Sequence, residues 1–339
     1  MPNNPTKILL LTTLMGGILI SISSNSWLGA WMGLEINLMS FIPMMMSQSN
    51  IYTTEASLKY FLVQALASSS LLFLVTMKTL MNQMIITSSM HSYAIMTPLL
   101  LKMGAAPLHW WFPSVMEGLS WTNCLLMMTV QKAAPMMLIS YLMKMDPLIL
   151  PIILMSVVIG SMGGMNQTSL RKILTYSSIN HTGWMLTAMM GGNNLWVMYF
   201  MVYSMLTSTV TTIAKTNNIS FVNQTMTVNK STTVKFMLFT TLLSLGGLPP
   251  FIGFLPKWTV IQMMIMNNLK FTMTMMVVMS LVTLYYYLRM CYSSFMILHN
   301  ETKWHPWTKM ENKNMTLGLI LSSASMTGLL VCTMITNTN

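Results

Sequence analysis

The sequence predicts an all-α, polytopic membrane protein with about eleven transmembrane helices. Of its 339 residues, 54% are hydrophobic and only 7% are charged, and the mean hydropathy is +0.60, which is far too apolar for a water-soluble domain. Apolar runs long enough to cross the roughly 30 Å hydrocarbon core of a bilayer recur along the whole chain. Backbone groups in lipid must be hydrogen-bonded internally, so continuous runs of this length indicate helices and not barrel strands.

The predicted helices follow one another with short links and no separate polar domain. Their approximate spans are 7–23, 27–46, 57–77, 84–106, 121–143, 148–167, 173–190, 193–214, 234–264, 271–289 and 315–336. The start of the chain has neither an Arg-rich amphipathic stretch nor a small-residue cleavage site, so we expect the first helix to be retained. The fourth and ninth spans are the least regular.

Basic residues in the loops predict the orientation, because lysine and arginine accumulate on the side from which a membrane chain is inserted. Ten lie on the side of the N-terminus: Lys7, Arg171, Lys172, Lys215, Lys230, Lys235, Arg289, Lys303, Lys309 and Lys313. Three lie on the opposite side: Lys78, Lys144 and Lys270. The N-terminus is therefore predicted inside and, with an odd number of spans, the C-terminus outside. Topology accounts for the loop part of the net charge of +11, so no nucleic-acid partner is predicted.

Several charged residues lie inside the apolar runs. The clearest are Glu35, Lys102, Lys132 and Lys257, and Lys59 lies a few residues into the third run. A charge near the centre of a bilayer costs roughly 2.5 to 3.5 kcal/mol, so such residues usually face a bundle interior or a wet cavity and have a function there. The pattern predicts ion movement.

Glycine and proline interrupt the two irregular spans close to these lysines. Lys102 is followed by Gly104 and Pro107, and a stretch from Gly246 to Pro256 precedes Lys257, 155 residues further along the chain. Interrupted helices in corresponding places of two halves indicate the ion pathway of a transporter built from inverted repeats. The alternative is that both interruptions are kinks that only shape the packing.

Five segments in order carry a family resemblance: GLEINLMSFIPMM, EASLKYFLVQALASS, LKMGAAPLHWWFPSVMEGLSW, QTSLRKILTYSSINHTGWM and SLGGLPPFIGFLPKW. They resemble the family of mitochondrially encoded subunit 2 of respiratory complex I, and they run from about residue 31 to residue 258. The resemblance implies a single antiporter-like, proton-pumping membrane domain over residues 1–339. Its first repeat would span about 7–143, its second about 148–289, and a final helix about 315–336.

The resemblance also implies a membrane and a set of partners. The expected location is the inner mitochondrial membrane, with the N-terminus in the matrix and the C-terminus in the intermembrane space. The partners would be other subunits of complex I, the lipid bilayer, protons and internal water. NADH, FMN, iron–sulfur clusters and ubiquinone would be bound by partner subunits, because this chain has no dinucleotide fingerprint, cysteine cluster or paired helical histidines. Its cysteines, Cys124, Cys291 and Cys332, predict neither a disulfide nor a metal site.

The functional residues that the resemblance implies fall on matching positions. The glutamate of the E-x-N motif is Glu35, the lysine before G-A-A-P is Lys102, that of the following helix is Lys132, and the lysine after G-L-P-P is Lys257. Relatives usually carry an acid where this chain has Ser114, so a role for that loop carboxylate is not expected here.

A mechanism follows from how burial acts on these residue types. Removal from water disfavours the charged form of a lysine, whereas a nearby carboxylate favours it. Glu35 beside Lys102 would hold that lysine charged, and withdrawal of Glu35 would release its proton. The proton would then move to Lys132 and on to Lys257, with a signal from a neighbouring subunit driving the change, and the lysines would titrate as a coupled set.

Other residues have alternative interpretations. Lys257 could snorkel to the membrane interface, and Lys59 could pair with Glu55 four residues earlier. Lys172 is an orientation signal or, by its L-R-K-I-L match, a proton relay.

Two histidines are possible relays or simply hydrogen-bonded interior residues. His109 would share the face of Lys102 if the helix continued through Pro107, and His181 lies on a polar stripe of the seventh helix. For the whole chain, the alternatives are a stand-alone cation/proton antiporter and a purely structural subunit.

Overall fold

The computed structural model describes residues 5–46, 50–81, 88–143, 149–227, 232–292, 318, 320 and 322–328. Across these ranges the chain forms fourteen helices of six residues or more, and the β-type pairing within them is an isolated bridge between Ser169 and Phe221. The all-α prediction is confirmed. The chain divides into two compact units, Met1–Ile152 and Ile153–Asn339.

The first unit contains seven complete helices within its described residues. They are α1 (Pro5–Ser23), α2 (Trp27–Met45), α3 (Ile51–Met81), α4 (Ser88–Met103), α5 (Trp111–Gly118), α6 (Trp121–Met128) and α7 (Val130–Leu142). Helix α3 packs against α2, α4 and α5, and α7 packs against α1, α2, α4 and α6. Helices α2, α4 and α7, which carry the predicted charged residues, are therefore neighbours in one bundle.

Small residues bring α1 and α2 into close contact. A Cβ atom on Gly17 would lie 2.8 Å from the backbone nitrogen of Asn37, and one on Gly33 would lie 2.5 Å from that of Ser21. Helices in lipid gain little from burying apolar surface, so close backbone approach at small residues is a main source of their association. This contact fixes α2, the helix that carries Glu35.

We expect the change of Gly33 to alanine to destabilise the packing of α1 on α2. The added methyl group meets backbone atoms that cannot rotate away, and overpacking of this kind costs about 1–3 kcal/mol. Thermal inactivation of the purified enzyme should shift to a lower temperature. Gly16→Ala is the matched control, because a Cβ there has no neighbour within 4 Å. Equal inactivation temperatures for the two variants would show that the contact is not tight.

The second unit begins within α8 (Leu150–Gly164). Its further helices are α9 (Leu170–Met190), α10 (Asn193–Asn217), α11 (Val222–Thr227), α12 (Thr232–Gly246), α13 (Phe254–Met266) and α14 (Lys270–Tyr292). Helix α10 packs against α9, α12 and α13, and α13 also contacts α9 and α14. Helix α9 is the most buried of these helices, with nearly every residue from Ile173 to Met190 inside the unit.

Within the ranges that the structure describes, five helical segments are long and apolar enough to cross a membrane: Pro5–Ser23, Ile51–Leu80, Trp121–Leu142, Asn193–Asn217 and Lys270–Tyr292. The predicted spans 121–143 and 234–264 each consist of two helices, and the short helices α5 and α11 were not predicted. The last predicted span, 315–336, lies mostly outside the described residues, so the count of eleven stays a prediction. The final described residues, 318, 320 and 322–328, are helical.

Candidate functional site

The first helix interruption begins where α4 ends at Met103. Gly104 has a φ of +71°, a conformation that costs a residue with a side chain about 1–2 kcal/mol. The amide of Gly104 donates to the carbonyl of Leu101, and the amide of Ala105 donates to that of Leu100. This is the Schellman arrangement that ends a helix at a glycine.

The second interruption repeats this geometry at the end of α12. Gly247 has a φ of +84°, its amide donates to the carbonyl of Ser244, and the amide of Leu248 donates to that of Leu243. In both interruptions a proline follows three residues after the left-handed glycine, at Pro107 and Pro250. The two helix breaks that the glycine and proline pattern predicts are confirmed, and both have the same backbone design.

Side chains from other helices satisfy carbonyls at the broken end of α4. The Gln64 side-chain amide donates to the carbonyl of Lys102 at 3.3 Å, and the Trp111 indole donates to that of Leu101 at 3.1 Å. Carbonyls in the last turn of a helix have no partner within the helix, so partners from elsewhere are needed when the end is buried. The interruption is therefore held by α3 and α5.

Lys102 lies in the last turn of α4, and its side chain is buried, with 7% of the residue exposed. Glu35 is half-buried on α2, close enough for its carboxylate to attract the Lys102 amine. The two residues are 67 positions apart in the sequence, and the fold brings their charges within electrostatic range of each other. Burial disfavours the charge on Lys102 while the Glu35 carboxylate favours it, so the two effects oppose each other at one amine.

Lys132 is the most deeply buried of the predicted lysines, at 1% exposure. Its amine lies 5.0 Å from the centre of the Phe112 ring, a distance at which a cation is attracted by the ring face. The residue follows an interruption between α6 and α7 at Thr129, which was not predicted.

Two local features explain that third interruption. The Thr129 hydroxyl donates to the carbonyl of Leu125 four residues earlier, a bond that bends helices. Pro135 has no amide hydrogen to offer the carbonyl of Gln131, and its ring crowds that carbonyl. These residues were the available sequence signal, and they place the bend next to Lys132.

Sequence reasoning missed a buried polar cluster that contains sequence neighbours of Glu35 and Lys132. The Gln131 side chain donates to the Asn37 side-chain oxygen at 3.0 Å and accepts from the Tyr60 hydroxyl at 3.3 Å. The Tyr60 ring packs between Phe41 and Trp111, at 5.5 and 5.9 Å between ring centres. The only hint in the sequence was the proximity of Asn37 to Glu35 and of Gln131 to Lys132.

Lys257 lies in the second unit, on α13, with 5% exposure. Its amine donates to the carbonyl of Gly246 at 2.8 Å and lies 5.7 Å from the centre of the Trp184 ring. A lysine at the carbonyl end of a helix is stabilised by the helix dipole. The alternative in which Lys257 extends to an interface is wrong, because its amine turns inward to the broken end of α12.

His181 is buried on α9, at 6% exposure. Its Nδ1 atom lies 2.9 Å from the Tyr199 hydroxyl, and the Tyr203 ring is 5.1 Å away between ring centres. The structure thus places the predicted histidine in a polar cluster with two tyrosines of α10.

The remaining candidates lie in less enclosed places. The exposed side chain of Lys59 pairs with Glu55 at 2.6 Å, as the four-residue spacing predicted. Lys172 is half-buried at the start of α9. His109 is half-buried, and its Nδ1 lies 3.2 Å from the Pro107 carbonyl. The condition for His109 to share a helix face with Lys102 is not met, because α4 ends at Met103.

The first unit contains Glu35, Lys102 and Lys132, and the second contains Lys172, His181 and Lys257. The described parts of the chain contain no group of three or more histidine, cysteine or acidic side chains that could hold a metal ion. Cys124 and Cys291 are both buried thiols. Cys332 lies outside the described residues.

Comparison with known proteins gives two matching families. Residues 24–283 match the family described as NADH:quinone oxidoreductase/Mrp antiporter, transmembrane, and residues 284–336 match NADH dehydrogenase subunit 2 C-terminus. The NADH-ubiquinone oxidoreductase chain 2 of Anopheles gambiae is 49% identical over 329 residues, which cover 96% of each chain. That of Locusta migratoria is 47% identical over 340 residues, covering 98% of this chain and 97% of the relative.

Solved structures show the same fold at lower identity. A chain of respiratory complex I from Thermus thermophilus matches with a TM-score of 0.83 at 23% identity, covering 98% of this chain and 80% of that chain. A chain of the Mrp complex from Dietzia sp. matches with a TM-score of 0.79 at 14% identity, covering 96% and 75%. The antiporter-like fold expected from the sequence is confirmed.

Proposed function

Because the chain belongs to the family of NADH-ubiquinone oxidoreductase chain 2, it is a membrane subunit of that respiratory enzyme, and we propose that it carries protons across the membrane. The proposed path contains Glu35, Lys102, Lys132 and Lys257. The observation that supports it is the burial of the three lysines, none more than 7% exposed, each beside a helix interruption. Ionisable groups in such positions are costly and are typical of proton and ion paths.

The proposed first step takes place at Glu35 and Lys102. While the carboxylate is near, it favours the charged amine against the cost of burial. When the charge on Glu35 is withdrawn or neutralised, burial prevails and Lys102 releases its proton towards Lys132. Electron transfer elsewhere in the enzyme would supply the signal through a neighbouring subunit.

The proposed later step moves the proton from Lys132 to Lys257 through internal water. At Lys257 the carbonyl of Gly246 and the Trp184 ring would stabilise the incoming positive charge. His181 is an additional relay candidate because of its bond to Tyr199. Roles for Lys172 and His109 stay predictions, whereas Lys59 in its exposed pair with Glu55 supports the interpretation as a surface ion pair.

We place the subunit in the inner mitochondrial membrane, with its N-terminus in the matrix and its C-terminus in the intermembrane space. Support comes from the distribution of lysine and arginine between the predicted loops. NADH, FMN, iron–sulfur clusters and ubiquinone are assigned to the other subunits of the complex. This chain would supply the proton path and contact lipid.

The proposal is tested by the change of Lys132 to methionine in the enzyme reconstituted into vesicles. Methionine has a similar length, is apolar and cannot hold a proton, so we expect the number of protons moved per NADH oxidised to fall while the complex still assembles. The measurements are pH-dye quenching in the vesicles, NADH oxidation in the same preparation, and assembly on a native gel.

Lys270→Met is the matched control, since it is the same substitution at an exposed lysine at the start of α14. An unchanged ratio of protons to NADH in Lys132→Met would contradict the proposal and favour a structural role. Sodium- or potassium-driven proton movement by the isolated chain in vesicles would favour the antiporter alternative.

A further inference from the structure

A hydrogen-bonded group of three buried side chains joins three helices of the first unit. Asn37 on α2, Tyr60 on α3 and Gln131 on α7 are 3%, 3% and 9% exposed, respectively. Gln131 is the central member, because its amide group donates to Asn37 and its oxygen accepts from Tyr60. We call this group the Gln131 clasp.

Two members of the clasp are close in sequence to residues of the proposed proton path. Asn37 follows Glu35 by two residues on α2, and Gln131 immediately precedes Lys132 on α7. A displacement of α2 relative to α7 would therefore move the carboxylate and the amine while it strained the bond between the two amides. An amide side chain does not titrate near neutral pH, so the contribution of Gln131 is to position its neighbours and not to carry a proton.

The helix of Lys132 is bent just before that residue. Helices α6 and α7 are interrupted at Thr129, so α7 does not continue the regular geometry of the preceding helix. The clasp supplies side-chain bonds from α7 to α2 and α3 at this point. In an apolar bundle these bonds hold the geometry because a broken bond leaves buried polar groups without partners.

We propose that Gln131 is a positioning residue that links the helix of Glu35 to the helix of Lys132, so that a change at Glu35 is transmitted to Lys132 as a change of geometry. The inference rests on the proposed function. It adds to that function a structural link between Glu35 and Lys132, which are the two ends of the part of the proton path that lies in the first unit. Proton transfer depends steeply on distance and alignment, so a small shift of Lys132 is sufficient to alter it.

The test compares Gln131→Leu with Lys132→Met in the reconstituted enzyme. Leucine retains the apolar volume but can form neither hydrogen bond. We therefore expect the fall in the proton-to-NADH ratio in Gln131→Leu to be at least half of the fall in Lys132→Met, with NADH oxidation retained. Asn37→Leu should give a similar loss, and the double variant should lose no more than the larger single loss, because both changes break the same link.

Asn123→Leu is the matched control. Its amide also donates between helices, from α6 to the Met44 carbonyl of α2 at 2.9 Å, but it is not part of the clasp. It should leave the proton-to-NADH ratio unchanged. An equal loss in Asn123→Leu would show a general effect of weakened packing and would overturn the inference.

A swap of the two amides tests the role of the bond itself. The double variant Asn37→Gln with Gln131→Asn keeps both amides and the total number of methylene groups between the helices, so it should recover at least half of the ratio lost in Gln131→Leu. If Gln131→Leu fails to assemble, Tyr60→Phe removes one hydroxyl from the clasp and should lower the ratio in the assembled enzyme.

The two proposals fail in different ways. If Lys132→Met lowers the ratio whereas the assembled clasp variants keep the normal value, the inference on Gln131 is wrong and the proton path stands. If Lys132→Met itself keeps the normal ratio, the proposed function is wrong.

Discussion

Replacement of Lys102 by methionine is expected to abolish proton movement through this subunit while the complex still assembles. Lys102 is the buried amine that Glu35 attracts, so it is the point at which a change of charge enters the proposed path. Methionine fills similar space without a titrating group, and the Gln64 bond at this position is made to the backbone carbonyl, which the substitution keeps. The measurement is the proton-to-NADH ratio of reconstituted enzyme at matched rates of NADH oxidation.

The change of Lys102 to arginine separates charge from proton exchange. Arginine keeps a positive charge beside Glu35 but does not give up its proton in a protein. In assembled enzyme we therefore expect Lys102→Arg to stay as inactive in pumping as Lys102→Met. Full pumping by the arginine variant would mean that only the charge is needed and would refute proton transfer through this residue.

The change of Gly247 to alanine is expected to disable the second interruption. Its φ of +84° costs alanine about 1–2 kcal/mol, and a Cβ there would lie 2.9 Å from Cδ and 3.0 Å from Nζ of Lys257. The lysine side chain would have to shift from its place at the Gly246 carbonyl. Together with the backbone strain, this shift is expected to remove most of the pumping that depends on Lys257. Thermal inactivation at a lower temperature and a reduced proton-to-NADH ratio should appear together.

Gly246→Ala provides the control one residue earlier. A Cβ on Gly246 would meet its nearest atom, of Tyr287, at 3.5 Å, an ordinary contact, and its φ is not in the left-handed region. We expect near-normal stability and pumping in this variant. If Gly246→Ala and Gly247→Ala lost stability and pumping equally, neither the left-handed backbone nor the position of the Lys257 amine could be the cause of the loss.

The membrane class and the charged residues of the candidate site could be predicted because they depend on local composition. A lysine within an apolar run, such as Lys132, can be recognised from the sequence alone, because the free-energy cost of a charge in lipid does not depend on which residues pack around it. The two glycine breaks could also be predicted, because few residues other than glycine accept the left-handed backbone at Gly104 and Gly247.

The bend at Thr129 and the Gln131 clasp could not be predicted in the same way. A threonine such as Thr129 is compatible with an unbroken helix, and a proline such as Pro135 is tolerated inside many transmembrane helices. The partners of the clasp are separated by 71 and 94 residues, and no local periodicity relates them. The inward turn of Lys257 likewise depends on the Gly246 carbonyl and the Trp184 ring, which only the packed bundle brings near.

The sequence by itself determined that this chain is an apolar helical bundle with rare internal charges and two helix breaks at glycine residues. Only the tertiary structure decided which charges meet, which polar groups hold them and which way each lysine turns. The physical reason is that solvation cost and backbone preference belong to single residues, whereas hydrogen bonds and charge pairs depend on helices that are distant in the chain.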